Sequence, residues 1–257
     1  MISARIRAMS GLHWLGLFGG LLAAWAMLFV MAVPAELRQA EALYGQALWQ
    51  ALCMPGDDGW SVLRLFIMWM IMSAGMMLPT ALPALATYDD LGHVTPTAFW
   101  WLVAGYAAVW AGFSLLAAIA QTGLWRAGLI GLSGQSLSIW LTAALLGLGG
   151  LYQFSALKES CLAKCRAPLT FFMQHWDDGP WRMGLRLGAV CLGCCWALMA
   201  LAFVGGVMNL GFMALAMVLM VLEKMPDIGR YVTRPLGVLL ILAAGFWPAV
   251  QLIHTGG

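Results

Sequence analysis

An all-α, polytopic transmembrane bundle is the fold that this sequence predicts, and three observations carry the prediction. The 257 residues are 63% hydrophobic and only 9% charged, whereas a soluble domain carries roughly 25% charged residues. Mean hydropathy is +0.86. The apolar residues gather into stretches of spanning length, since about 20 residues cross the hydrocarbon core of a bilayer. A net charge of +2 supplies no basic surface for nucleic acid.

Taken in chain order, spans are expected at 14–33, 61–86, 97–121, 137–156, 183–206, 208–225 and 235–254. The first follows Arg5 and Arg7 and runs toward Val33-Pro34-Ala35, as a secretory signal would. Its apolar core is longer than the 7–15 residues usual in such signals, so it reads as an uncleaved span. Leu187 to Leu222 is too long for one ordinary helix, and the paired glycines Gly205 and Gly206 are where it divides. That makes seven spans, with the fifth and sixth as a hairpin; one long or bent helix there would leave six.

Orientation follows from the basic residues flanking the spans. With the N-terminus inside, Arg5, Arg7, Lys158, Lys164, Arg166, Arg182, Arg186, Lys224, Arg230 and Arg234 are cytoplasmic. Only Arg38, Arg64 and Arg126 lie outside. The reading is N-in and C-out, multi-pass, in a bacterial-type inner (cytoplasmic) membrane. Residues 1–257 form a single integral membrane domain. An outer loop, 34–60, begins with an amphipathic stretch that suits an interfacial helix. A cytoplasmic loop, 157–182, carries Cys161 and Cys165.

Within the fifth span, Cys191, Cys194 and Cys195 fall within about 100° of arc on a helix. Three soft donors on one face of an otherwise apolar helix point to soft-metal or thiol chemistry, because thiolates select Cu(I), zinc or iron–sulfur centres. Cys161 and Cys165, four apart, share a face if that segment is helical. On the cytoplasmic side these thiols stay reduced, which favours metal ligation over structural disulfides. The competing reading is that free cysteines pack as small hydrophobes. Cys53, outside and without a partner there, is read as incidental.

The stretch MWMIMSAGMMLPTALP, residues 68–83, places Met68, Met72 and Met76 at i, i+4 and i+8, with Met70 and Met77 nearly opposite. Thioether sulfur is a neutral soft donor that suits Cu(I) without burying a charge, although a methionine stripe also packs well. Pro79 and Pro83 are expected to kink this helix and free backbone carbonyls. Gly184 and Gly188, spaced GxxxG, predict a close helix–helix approach near the cysteines, and Gly147, Gly149 and Gly150 predict the same for the fourth span. Asn209 is expected to cap, Glu223-Lys224 to form an interfacial pair, and Asp89, Asp90 and His93 to be a solvated acidic patch. His175 could join the cysteine cluster. No phosphate loop, HExxH or nucleophile elbow is present, so an enzymatic activity is not indicated.

Three stretches together resemble the family of predicted metal-binding integral membrane proteins catalogued as a domain of unknown function, DUF2182. They are WMIMSAGMMLP (69–79), LKESCLAKCRAPLTFF (157–172) and MGLRLGAVCLGCCWALMALAFVGGVMNLGFM (183–213), followed by LEK (222–224). The resemblance runs from about Arg64 to Arg234. It implies a multi-span membrane protein that binds metal, with Cys161, Cys165, Cys191, Cys194, Cys195, Met72, Met76 and Met77 as ligands. Histidines common in the family pattern are replaced here by Lys164 and Leu187, which leaves an all-sulfur site and makes zinc less favoured than copper. The expected function is therefore soft-metal handling, with copper as Cu(I), by the cysteine cluster and the methionine-rich helix. The expected partners are the bilayer, other membrane subunits or a metal chaperone. The alternatives are a non-catalytic subunit or assembly factor of a membrane complex, and a membrane thiol-disulfide oxidoreductase using Cys191 and Cys194.

Overall fold

The computed structural model describes residues 11–32, 56, 59–91, 94–207 and 209–255, the last six by backbone alone. Cys53, His93 and the amphipathic stretch of the 34–60 loop lie outside the described residues. Helices occur at each of the seven expected span positions. They are α1 (Leu12–Ala32), α2 (Ser61–Asp89), α3 (Pro96–Arg126), α4 (Ile139–Tyr152), α7 (Gly179–Ala200), α9 (Leu210–Lys224) and α10 (Gly229–Thr255). Between α4 and α7 lie α5 (Ala156–Arg166), α6 (Pro168–Gln174) and a 3₁₀ turn, Trp176–Asp178. The short α8 (Ala202–Gly205) follows α7. Among the described residues, five helices are long and apolar enough to cross a membrane, or six if α4 and α5, bent by 60°, make one broken span. Helix α9 has 15 residues, a rise of about 22 Å, and is shorter than a full crossing.

The segment 157–182, expected as a loop, is folded onto the bundle as α5, α6 and the 3₁₀ turn, with α5 packed along α7. The break expected near Gly205-Gly206 is present. Helix α7 ends at Ala200, α8 adds one turn, and Gly206 takes φ +91°, a conformation open to glycine. Asn209 then starts α9 by accepting a hydrogen bond from the Phe212 N–H at 3.1 Å, as expected of a cap.

The two prolines of α2 leave the helix continuous from Ser61 to Asp89. Pro79 has no N–H to give the Gly75 carbonyl four residues earlier. The indole of Trp25, on α1, donates to that carbonyl at 3.0 Å. Backbone groups in a bilayer must find protein partners, and this bond ties α1 to α2. At the far end of α2, Asp89 accepts from the Trp14 indole at 2.7 Å and pairs with His13 at 3.2 Å. Asp89 is therefore bonded to α1 rather than solvated, which corrects the reading of an open acidic patch.

The close approach predicted by Gly184 and Gly188 joins α7 to α3. A Cβ on Gly184 would lie 2.2 Å from the Leu102 carbonyl oxygen, and one on Gly105 2.3 Å from that of Trp181. The two backbones are in contact there, which only glycine permits. Gly150 likewise meets the Gly237 carbonyl oxygen of α10, with 2.9 Å to a built Cβ. Helix α7 is the centre of the bundle, with 61% of its spanning window buried, whereas α10 has 11% buried.

Candidate metal centre

Helix α7 begins at Gly179, so Cys191 lies about three turns inside it. The cysteines are thus deeper than the start of a span beginning at 183. Gly184, Gly188, Cys191 and Cys195 repeat at i, i+4, i+7 and i+11, so the face that touches α3 also carries the thiols. The Sγ atoms of Cys191, Cys194 and Cys195 all lie within 4.8 Å of one another, and each residue is at most 2% exposed. Cys194 and Cys195 are 3.2 Å apart at sulfur, and the Cys194 thiol donates to the Cys191 carbonyl at 3.0 Å. The described cysteines are all free thiols.

Cys191 is the polar hub. The Tyr106 hydroxyl of α3 is 3.2 Å from its sulfur, and the Thr80 hydroxyl of α2 is 3.9 Å away. The Lys224 ammonium, at the end of α9, donates to the Cys191 sulfur at 3.0 Å and to the Thr80 hydroxyl at 2.7 Å. Tyr106 and Thr80 both donate to the Met77 carbonyl, at 3.1 and 2.8 Å. Each hydroxyl has one proton, and each gives it to Met77. Lys224 is therefore the donor that faces Cys191 with a full charge.

Helix α5 supplies the other thiols. Cys161 packs its sulfur against Gly193, where a Cβ would come within 2.6 Å. Cys165, with Cys191, lines a cavity of about 40 Å³. Lys164, Leu187, Tyr106, Thr80 and Lys224 share that wall. Lys164 and Leu187 bring no imidazole to that wall.

The remaining expectations divide. Met77 is at the centre, its thioether 4.0 Å from the Thr80 hydroxyl. Met68, Met72 and Met76 are buried in a row along α2. His175 stacks on Phe171 and hydrogen-bonds its carbonyl at 2.8 Å, so it belongs to the packing of α6. Glu223-Lys224 is not an interfacial pair. Glu223 bonds Lys158 of α5 at 2.8 Å, both side chains 1% exposed, while Lys224 turns to Cys191. Tyr106, Thr80 and Lys224 were missed as site residues. Lys224, a cation at the end of an apolar helix, was the one with a sequence signal.

The donor set fits a soft ion. Sulfurs about 2.3 Å from a shared ion in a trigonal plane lie about 4.0 Å apart, and three thiols within 4.8 Å need only a small adjustment. Hard cations prefer carboxylate and other oxygen donors, and no Asp or Glu is among the described residues that line the cavity beside Cys191. Three buried thiols in a bundle of membrane-length helices are a donor set suited to a soft metal ion. The family model PpoB2, described as copper chaperone, matches residues 66–247, and the chain belongs to that family. Comparison with curated proteins and with solved structures gives no match.

Proposed function

We propose that this protein is a membrane-embedded Cu(I) carrier that holds the ion on Cys191, Cys194 and Cys195. The observation that carries the reading is the set of three buried sulfurs within 4.8 Å, in a chain of the copper chaperone family. Cys165 and Cys161 are the thiols through which an ion enters or leaves the trithiol centre. Met77 and the row Met76, Met72 and Met68 add neutral donors along α2. The likeness to DUF2182 agrees with this role. The charge distribution supports an N-in orientation in a cytoplasmic membrane, with the end bearing Lys164, Glu223 and Lys224 facing a soluble metal chaperone or a membrane partner.

Anaerobic loading of the detergent-solubilised protein with Cu(I) is expected to leave about one copper per chain, with X-ray absorption reporting sulfur donors alone. Protein that stays copper-free while its thiols remain reduced and titratable would reject the reading.

Lys224 has a defined part in it. A Cu(I) ion held by two thiolates carries one negative charge, and by three, two. An uncompensated charge in a bilayer interior is costly. The ammonium 3.0 Å from Cys191 offsets one of these charges. Lys224→Met is expected to weaken Cu(I) retention by about 10- to 100-fold, as loss of an outer partner of a metal ligand does. Lys224→Arg should retain most of it. Competition against a chromophoric Cu(I) chelator measures both.

A further inference from the structure

A second, larger cavity lies away from the cysteines, where the α4–α5 bend meets the start of α10. Its volume is about 780 Å³. Lys158, Arg166, Arg230 and Arg234 line it, with Glu159 as the carboxylate facing them. Lys158 is neutralised by Glu223 at 2.8 Å. Arg166 donates to the Glu223 carbonyl at 3.0 and 2.6 Å, which leaves its charge unbalanced. Arg230 lies over the Tyr231 ring at 5.0 Å. Arg234 is exposed and makes no hydrogen bond or ion pair among the described residues. Gln153, which also lines the cavity, is 5% exposed, and neither of its side-chain amide atoms has a partner. A buried amide without partners is costly, and the acceptor oxygens of a ligand would supply a partner for its Nε2.

The groove continues into an apolar surface. Arg234, Val238 and Leu242 follow at i, i+4 and i+8 on one face of α10, and Val238, Leu239, Leu242 and Phe246 are 48%, 63%, 63% and 70% exposed. Cations at one end of a lipid-exposed stripe match a head group with acyl chains, and arginine pairs with phosphate in a planar fork. We propose that this groove binds the phosphate head group of an anionic phospholipid, with Arg230, Arg234 and Gln153 as its polar contacts and the exposed face of α10 as the track for a chain. The site is separate from the thiol centre and does not depend on the copper reading.

The test uses the full chain in neutral detergent, offered phosphatidylglycerol, phosphatidylcholine or inorganic phosphate, with bound lipid counted by native mass spectrometry. Phosphatidylglycerol is expected to be retained in preference to phosphatidylcholine. The double variant Arg230→Gln, Arg234→Gln should reduce that retention about 30-fold, near a factor of five for each basic residue. Arg230→Lys, Arg234→Lys should restore most of it. Arg234→Gln alone, about fivefold weaker, serves if the double variant does not fold. Equal retention of the two lipids, or of phosphatidylglycerol by wild type and the glutamine variants, overturns the proposal. Thermal stabilisation by inorganic phosphate without lipid preference also overturns it, by identifying a soluble anion as the ligand.

Discussion

Cys191→Ser protein is expected to lose bound Cu(I) by more than about 100-fold, beyond the 10–100-fold cost of removing only an outer partner. Serine keeps the volume of the side chain and replaces a soft donor by a hard one that Cu(I) disfavours. The helix contact at Gly184 and Gly188 does not involve the sulfur, so the bundle should persist. Cys191 is also the thiol on which Tyr106, Thr80 and Lys224 converge. Its loss therefore removes the ligand whose charge the ammonium compensates. Cys194→Ser should act similarly on the ion, while leaving Lys224 bonded to Cys191. Copper per chain after gel filtration under reducing conditions measures both. Unchanged stoichiometry in Cys191→Ser would place the metal elsewhere.

Glu223→Ala is expected to destabilise the fold by about 3–5 kcal/mol, the cost of leaving one partner of a buried ion pair alone. The Lys158 ammonium, 1% exposed, would have no counter-charge. Removing both, as Lys158→Met with Glu223→Leu, should recover most of the loss, because similar apolar volume often replaces such pairs without penalty. Thermal unfolding in detergent reads both variants. If the single and double changes cost the same, the packing of α5 on α9, rather than the charge, holds these helices together.

These two cases show what can be read along a chain and what cannot. The cysteine triad, the glycine face of α7, the Asn209 cap and the carbonyl freed by Pro79 all arise from spacing within one helix, and local geometry is legible in sequence. The partners of those features are not. Tyr106, Thr80 and Lys224 come from three other helices, and nothing near them in sequence records that they meet Cys191. Glu223 and Lys224 are adjacent and of opposite charge, which invites the reading of a pair. In the helix, neighbouring residues point about 100° apart, so one reaches α5 and the other reaches α7. The segment 157–182 reads as a loop for a related reason. Its charges resemble those of a loop, but Lys158 and Arg166 are committed to Glu223, which draws a polar helix onto the bundle.

The glycine contact between α3 and α7 also fixes the helix that carries the thiols beside the cavity at Cys191. Backbone pressed on backbone at Gly105 and Gly184 has no side chain to move aside, so the seam between α3 and α7 is stiff. The cavity beside Cys191 is lined in part by Lys164, Cys165 and Lys224, two of them long chains with several rotatable bonds. Rotamer changes of such chains take picoseconds to nanoseconds when exposed, against microseconds or longer for helix displacement. Lys164 is exposed, so its chain can swing at the rim of this cavity while the helices that carry the thiols stay in place.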